Sequence, residues 1–295
     1  MDLPKVEEKL AAFIEKSTSR GDWTENAKMI AKAWLKEGLK PRCITRDLKW
    51  GTPCPLEGFT DKVFYVWFDA PIGYLSITAN YTKEWEKWWK NPQQVELYNF
   101  MAKDNVPFHS IIFPSTLIGT EDDYTLVNHL CATEYLNYEE GKFSKSRGVG
   151  VFGTDVQATG IPSDYWRFYL LYIRPEGSDA TFNWDDFAAK VNSELLANIG
   201  NFINRALAMC SKNWEGVVPE IDGLIERDIE ALAQIEAEVG NYIDSLEKVK
   251  LKDGIHSILA ISRIGNQFMQ INEPWKLLKG LLVPILIIFL TYFFL

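Results

Sequence analysis

The chain has 295 residues, of which 47% are hydrophobic and 24% charged, a composition typical of a globular protein with one large or two ordinary domains. Its formal net charge of -9 argues against a generally basic nucleic-acid-binding protein, because a phosphate backbone attracts clustered Lys and Arg. The four cysteines form no Cys-x-x-Cys pair, which argues against a zinc site or a disulfide framework and favours a reducing compartment.

The N-terminal sequence predicts a helical arm. Apolar residues recur at helical spacing from Val6 to Glu37, and Gly38 ends the pattern. The opening sequence MDLPKVEEKL has no apolar core behind a positively charged start, so we expect no secretory signal. Residues 41–62 are rich in Pro, Gly and charge, which predicts a loop-dominated passage into a core.

Three apolar runs in the middle of the chain predict buried strands. They cover residues 62–69, 94–103 and 108–115, and they are rich in β-branched and aromatic side chains. Helical patterns around residues 81–90 and 124–136 lie between and after these runs. The order strand, helix, strand, strand, helix predicts an α/β sheet.

After about Ser178 the pattern is helical throughout. Three apolar stripes recur at helical spacing, and the last of them ends at Pro274. The stripe positions are Val191, Leu195, Ile199, Phe202 and Ile203; Ile225, Ile229, Leu232, Ile235, Val239, Ile243 and Leu246; and Leu251, Ile255, Ile258, Ile261 and Phe268. These stripes predict a bundle of three antiparallel helices.

One loop has an unusual composition. The segment from Gly141 to Gly150, GKFSKSRGVG, carries three cations, two hydroxyls and three glycines without any acid. Glycines let backbone amides approach a ligand, and the cations suit a polyphosphate. Taken alone, the segment also fits an ordinary solvated basic loop, because isolated surface charges usually contribute little.

A second motif lies upstream, where the run from Tyr65 to Tyr74 reads YVWFDAPIGY. Aromatic side chains beside a small-residue turn at the end of a strand are typical of an apolar ligand pocket in an α/β sheet. The sequence FMAKDNVPFHS brings Asp104, Phe108 and His109 to a second strand end. We therefore expect three loops to converge there.

These motifs carry a family resemblance. The blocks YVWFDAPIGY, AKDNVPFHS and KFSKS, in this order, resemble the methionyl-tRNA synthetases of the eukaryotic cytosolic type, which are class I aminoacyl-tRNA synthetases. KFSKS is similar to the second signature loop of that class, with Phe143 in place of the commoner Met. The resemblance runs from about Leu3 to Lys279 and implies a cytoplasmic enzyme that joins methionine to tRNA.

The resemblance also implies an order of domains. The implied fold class is α/β, the second half of a Rossmann-type catalytic domain followed by an α-helical anticodon-binding bundle. The end of a helical connective insertion would cover residues 1–50, the catalytic half residues 51–177, the bundle residues 178–280 and an apolar tail of unknown origin residues 281–295.

A methionine pocket is the first site that the resemblance implies. The residues that match its lining are Trp67, Ala70, Pro71, Tyr74, Phe108 and His109. A thioether packs well against aromatic edges, whereas a polar competitor would lose its hydrogen bonds there. Phe113 stands where many relatives have Trp.

An ATP site is the second. Lys142, Ser144, Lys145 and Ser146 match the loop that grips the ATP phosphates, and Asp104 matches a polar position near the amino acid and the ribose. Lys142 and Lys145 are the expected catalytic groups, because preorganised ammonium groups stabilise the charge that accumulates on the phosphates in the transition state. ATP is expected with Mg²⁺ as a substrate, and we expect no zinc site in this chain.

An anticodon site in the helical part is the third. Asn201, Arg205, Pro274 and Trp275 match the positions that read the CAU anticodon of tRNA(Met) in the resembling family. An amide, a guanidinium and an exposed indole suit the reading and stacking of unpaired RNA bases. For Arg205 alone, a solvated helix charge is the alternative.

Class I synthetases also carry a His-x-Gly-His loop that contacts the ATP phosphates. None of His109, His129 and His256 fits that pattern, so we expect a partial chain whose activity alone is doubtful. Its partners would be methionine, ATP and tRNA(Met), and a missing N-terminal half or other synthetases are further candidates. The alternatives are a non-catalytic tRNA anticodon-binding fragment and a membrane-tethered regulatory fragment.

The tail from Gly280 to Leu295 is almost wholly apolar but shorter than the roughly 20 residues that span a bilayer as a helix. It predicts a short tail anchor, a buried strand or helix, or sequence foreign to the domain. We favour the third interpretation, because the polar, well-patterned chain stops abruptly at Gly280. A membrane role is the less favoured expectation.

Overall fold

A computed structural model describes residues 1–21, 23–217 and 223–277. The predicted apolar tail lies outside these residues. The chain divides into two compact units, one formed by residues 1–135 with 175–178, and one by residues 136–174 with the chain from residue 179 onward. The four domain ranges expected from the sequence stay predictions.

The first unit contains most of the short elements. Its helices and strands, in chain order, are α1 (Glu7–Ser19), α2 (Glu25–Glu37), β1 (Thr45–Arg46), β2 (Val63–Phe64), α3 (Val66–Asp69), α4 (Ile72–Tyr81), α5 (Glu86–Trp89), β3 (Leu97–Ala102), α6 (Phe113–Ile118) and β4 (Val127–Thr133). A 3₁₀ turn (Lys103–Asn105) and a π-helical turn (Phe108–Ile112) connect β3 to α6.

Strands β3 and β4 pair in parallel, in a register that joins Phe100 to Cys131. Helix α2 lies close to β4, and the backbone nitrogen of Thr24 donates to the Leu130 carbonyl at 3.1 Å. The core of the unit fills the space between the sheet and the helices with fully buried side chains, among them Leu3, Leu10, Ile14, Val106, Ile111, Phe113, Val127 and Leu130. The helical arm is confirmed as two helices that pack on this core, because α1 and α2 each bury one face.

Three local predictions are wrong. Residues 62–69 form only the short strand β2, antiparallel to β1, before the chain turns into α3. Residues 108–115 are helical rather than a strand, and residues 127–133 form β4 where a helix was expected. In each case a short apolar run has no periodicity that separates helix from strand, so tertiary packing decides.

The second unit begins with a small parallel sheet and continues as a bundle. Its elements are β5 (Leu136–Tyr138), α7 (Ser163–Tyr172), β6 (Ala180–Phe182), α8 (Trp184–Lys190), a π-helix (Val191–Gly200), α9 (Asn201–Trp214), α10 (Glu226–Glu247), α11 (Leu251–Asn272) and α12 (Pro274–Leu277). Strand β6 corrects the expectation of an entirely helical chain after Ser178, and it pairs with β5 from Leu136 to Tyr138.

Aromatic rings form the core beside this small sheet. Trp166 stacks on Phe182 at a centroid distance of 5.6 Å, and Tyr169 is fully buried against the same ring. The Tyr169 hydroxyl donates to Asp186 Oδ2 at 2.8 Å, and burial beside this carboxylate raises the pKa of the phenol. The Asn183 side chain caps α8 by accepting from the Asp186 backbone nitrogen at 3.0 Å.

The bundle packs α9, α10 and α11 around one apolar cluster. Its buried members are Phe202, Ala231, Ile235, Ile261 and Met269, so one residue of each predicted stripe lies in this cluster. Gly265 on α11 lets the Phe202 ring approach, since a Cβ at this position would lie 2.5 Å from that ring. Within the ranges described, no helix is both long enough and apolar enough to cross a membrane.

Candidate functional site

Aromatic side chains from α3, α4 and the π-helical turn contact one another in the first unit. We call this set, Trp67, Pro71, Tyr74, Phe108 and His109, the aromatic pocket. Trp67 lies 5.8 Å from Phe108 between ring centroids, and Phe108 lies 5.0 Å from His109. Phe108, His109 and Pro71 are buried, whereas Trp67 is 43% and Tyr74 39% exposed, so the pocket is open on that side.

His109 is fixed in the pocket through both ring nitrogens. Its Nδ1 faces the Asn105 carbonyl oxygen at 3.0 Å, and its Nε2 faces the Tyr74 hydroxyl at 2.8 Å. Because a carbonyl only accepts, Nδ1 carries the proton and Nε2 accepts from Tyr74. Burial lowers the pKa of His109, against a smaller opposing effect of the Asn105 hydrogen bond. The pocket therefore contains a neutral imidazole at pH 7.

Phe113, which is 1% exposed, packs against the rings of the aromatic pocket. Its ring centroid lies 5.5 Å from that of Tyr74 and 6.2 Å from that of Trp89. The walls are thus aromatic and the one hydrogen-bonded pair is neutral. This surface suits an apolar, polarisable side chain better than a charged one.

The other two sequence-predicted residues of this unit lie at the margin of the pocket. Ala70 is exposed and follows α3, directly before the buried Pro71 at the start of α4. Asp104 is exposed in the 3₁₀ turn after β3. Among the described residues it forms no hydrogen bond with the pocket side chains, so the structure does not bring it into that network.

Residues 141–150, which we call the cationic loop, form two narrow backbone turns in the second unit. The backbone groups of Tyr138 and Gly141 bond to each other in both directions at 2.9 Å, and those of Ser144 and Val149 do so at 2.8 and 2.9 Å. Inside the pair of Ser144 and Val149, Lys145 begins a 3₁₀ turn that ends at Gly148 in the left-handed region. The loop therefore has a defined backbone.

Phe143 anchors the cationic loop to the aromatic core of the unit. Its ring lies 5.1 Å from that of Tyr138 and 6.0 Å from that of Phe152. Gly150 has φ +122°, and a Cβ there would lie 2.3 Å from the Phe143 ring. Only glycine fits this position, because both the backbone conformation and the contact exclude a side chain.

The cations of this loop project into solvent. Lys142, Lys145 and Ser146 are exposed, and in the described part of the chain neither lysine forms an ion pair with a carboxylate. The Ser144 hydroxyl, in contrast, accepts from Arg147 Nε at 3.1 Å. Two uncompensated ammonium groups on a fixed backbone attract an anion, and a polyphosphate matches their charge.

The third set of predicted residues lies where α9, α11 and α12 meet. Arg205 places its guanidinium 5.3 Å from the centre of the Trp275 ring, a cation–π distance, and Trp275 follows Pro274 at the start of α12. Asn201 is exposed one turn before Arg205 on α9. The structure thus brings the four residues to one region of the bundle.

An open groove of 450 Å³ runs past Asn201 and Arg205, and we call it the amide groove. Sequence reasoning missed Asn198 and Asn266, which line it; Asn266 bonds to both Asn201 and Arg205, and Asn198 bonds to Asn266. The available signal was a polar amide at helical spacing beside an apolar stripe. That signal is weak, because an asparagine on a solvated helix face gives the same pattern.

No group of three or more His, Cys, Asp or Glu side chains within residues 1–21, 23–217 and 223–277 is arranged to hold a metal ion.

The candidate sites are an aromatic pocket, a cationic loop and an amide groove. An α/β unit followed by a helical bundle, with these three features, is the architecture of a class I aminoacyl-tRNA synthetase, so the predicted fold class is confirmed.

Comparison with known proteins identifies the family. The family profile described as tRNA synthetases class I (M) matches residues 1–207, so the chain belongs to this family and the predicted resemblance is confirmed. The cytoplasmic methionine–tRNA ligases of Xenopus laevis and Homo sapiens are 66% and 64% identical to it over 280 residues. That alignment covers 95% of this chain but 31% of each relative, so the chain spans about a third of their length.

The fold is shared with a bacterial relative of known structure. The methionyl-tRNA synthetase of Mycobacterium tuberculosis, solved with bound methionyl-adenylate, superposes with a TM-score of 0.80 and is 22% identical. The match covers 97% of this chain and 55% of the bacterial chain. At this identity the comparison speaks for the fold, including its α/β part and its helical bundle.

Proposed function

We propose that the chain carries the methionine-binding, phosphate-binding and anticodon-binding parts of a cytoplasmic methionine–tRNA ligase. In the whole reaction, methionine and ATP form methionyl-adenylate and pyrophosphate. The methionyl group is then transferred to tRNA(Met). The observation that carries this proposal is the aromatic pocket with its neutral His109, in a chain of the tRNA synthetases class I (M) family.

The pocket binds the methionine side chain. Trp67 and Phe108 offer aromatic faces and edges to the thioether, and the buried imidazole of His109 adds no charge. The Tyr74 hydroxyl is already donated to Nε2, so a polar side chain entering the pocket would lose its hydrogen bonds to water and find no replacement. Ala70 and Pro71 form the turn between α3 and α4, and Asp104 would contribute a polar group near the amino acid and the ribose, because it matches a polar position of the family there.

The cationic loop binds the phosphates of ATP, which enters with Mg²⁺. A methionine carboxylate oxygen attacks the α-phosphorus, the bond from that phosphorus to the bridging oxygen breaks, and pyrophosphate leaves. Lys142 and Lys145 stabilise the charge that moves onto the leaving phosphates, while Ser144 and Ser146 lie beside them on the same loop.

The amide groove binds the anticodon. Asn201 and Arg205 present hydrogen-bond donors for base edges, and Trp275 beside Pro274 presents an indole that is 42% exposed for stacking. A non-catalytic tRNA anticodon-binding protein is the second candidate. It is favoured by the location of the whole groove in the second unit.

Methionine-dependent exchange of pyrophosphate into ATP separates the two candidates. We expect the purified 295-residue chain to bind methionine, and exchange that Lys145→Ala abolishes would assign the complete activation step to it. The matched control is Lys40→Ala, which removes an exposed loop lysine that is far from the cationic loop in the sequence. Binding of tRNA(Met) without exchange would favour the second candidate, and a chain that binds neither methionine nor tRNA(Met) would refute both.

A further inference from the structure

A single asparagine joins the two predicted base-reading side chains of the amide groove. Asn266 lies half-buried on α11, and its Oδ1 accepts from Asn201 Nδ2 at 3.3 Å and from Arg205 Nη1 at 3.4 Å. Both donors come from α9, one helical turn apart. Asn266 on α11 therefore restrains both Asn201 and Arg205 on α9.

The orientation of the Asn266 amide is fixed by its other end. Its Nδ2 donates to the Asn198 carbonyl oxygen at 2.9 Å and to the Ser262 carbonyl oxygen at 3.3 Å. If the amide were flipped, its oxygen would face these two carbonyl oxygens, and two acceptors in contact form no hydrogen bond. The Oδ1 atom is therefore directed towards Asn201 and Arg205.

The π-helix from Val191 to Gly200 gives this arrangement its support. Asn198, near its end, is 8% exposed and donates Nδ2 to the Leu259 carbonyl oxygen on α11 at 3.1 Å. Asn266 on α11 donates back to the backbone of Asn198. The π-helix and α11 are thus joined by two hydrogen bonds, with one side-chain donor from each helix. Short π segments inside helical runs are frequent at functional sites.

The charge of Arg205 stays available in this network. In the part of the chain that the structure describes, a neutral amide and the Trp275 ring restrain its guanidinium and no carboxylate pairs with it. The neighbouring Arg263 differs, since its guanidinium bonds to both carboxylate oxygens of Glu194 at 3.1 and 3.0 Å. Of these two arginines in the groove, Arg205 is the one positioned to meet an electronegative base edge.

We propose that Asn266 is a positioning residue for nucleobase recognition, which holds Asn201 and Arg205 in their base-reading orientation before RNA binds. This inference rests on the proposed anticodon function. Preorganisation reduces the side-chain entropy that binding would otherwise cost, so Asn266 raises affinity for the cognate loop without touching the RNA. A neutral acceptor is required, because a carboxylate here would hold Arg205 but neutralise it.

Fluorescence anisotropy with labelled RNA hairpins tests the proposal on the 295-residue chain. One hairpin carries a CAU loop and the other the same stem with a changed first loop base. Asn266→Ala is expected to weaken CAU binding about five-fold, the effect of one or two modest hydrogen bonds, and to leave the changed hairpin unaffected. Asn213→Ala is the matched control, since it removes an amide of α9 that bonds only to the Met209 carbonyl.

A double-mutant cycle distinguishes positioning from a general structural role. If Asn266 acts through Arg205 and Asn201, Asn266→Ala weakens binding of the CAU hairpin less in the Arg205→Ala background than in the wild-type chain, and not at all in a chain that carries both Arg205→Ala and Asn201→Ala. Independent, additive losses would overturn the proposal, as would wild-type affinity in Asn266→Ala. A wild-type chain that does not discriminate between the hairpins would instead refute the anticodon function itself, and the inference with it.

Asn266→Asp provides a second variant if the alanine variant does not fold, because it keeps the side-chain size and an oxygen acceptor. It is expected to weaken CAU binding and to reduce the slope of log affinity against log salt by about one, as neutralisation of one cation requires. An unchanged slope and affinity in Asn266→Asp would also overturn the proposal.

Discussion

The hydrogen bond from Tyr74 to His109 offers a direct test of the aromatic pocket. Tyr74→Phe removes only the hydroxyl that donates to Nε2 at 2.8 Å and leaves the ring contact with Phe113 in place. His109 is 5% exposed, and its Nδ1 stays bonded to the Asn105 carbonyl oxygen. The substitution therefore leaves one buried acceptor without a partner.

The magnitude follows from the burial of that acceptor. An unsatisfied buried acceptor costs about 1–3 kcal/mol, and because Tyr74 is 39% exposed, water can reach the site and reduce the loss to about 1–2 kcal/mol. The Tyr74 hydrogen bond also stabilises the neutral imidazole, since it engages the lone pair that a proton would take. Its removal should therefore raise the pKa of His109 above its value in the wild-type chain.

Urea unfolding gives the change in the free energy of unfolding, and NMR titration of the histidine ring protons gives the pKa of His109. Tyr81→Phe is the matched control, because Tyr81 ends the same helix α4 and is 90% exposed. The reasoning is refuted if Tyr74→Phe and Tyr81→Phe have equal stability and the His109 pKa is the same in both.

Three further predictions concern stability and the cationic loop. Because burial lowers the pKa of His109, the unfolded chain takes up a proton near pH 6.5 that the folded chain does not. The free energy of unfolding should therefore fall from about pH 7 to about pH 5.5, and His109→Gln should make this fall smaller. Urea unfolding midpoints measure both changes. Gly265→Ala places a Cβ 2.5 Å from the Phe202 ring and should cost about 1–3 kcal/mol in urea unfolding, whereas Gly240→Ala meets no atom within 4 Å and should cost less. Gly150→Ala should open the cationic loop, because its φ is +122° and its Cβ would contact a ring at 2.3 Å; trypsin should then cut the loop faster, and an unchanged cleavage rate would contradict this.

The long elements could be predicted from periodicity. The helical arm and the helices α9, α10 and α11 follow an amphipathic pattern over many residues, and strand β3 lies inside a predicted run. The sequence could not show which residues of each apolar stripe are buried. On α10, Ile235 is buried while Ile229 and Ile243 are 56% and 55% exposed, because burial depends on which neighbour packs there.

The short elements could not be predicted, and for a common reason. The runs that became α3, the π-helical turn and β4 are short and apolar, and none of them carries an alternation that separates helix from strand. The candidate site residues were found through a family resemblance rather than through these elements. The network at Asn266 was missed, because a hydrogen bond between α9 and α11 joins residues 61 positions apart, and no local pattern reports it.

The central claim is that the aromatic pocket selects methionine, and equilibrium dialysis of the 295-residue chain with labelled L-methionine and L-leucine tests it most directly. The chain should bind methionine in preference to leucine, and Trp67→Ala or Phe108→Ala should remove that preference. Trp88→Ala, which deletes a tryptophan that is 58% exposed, should leave the preference intact. Equal binding of the two amino acids, or a preference that survives both pocket substitutions, would contradict the account.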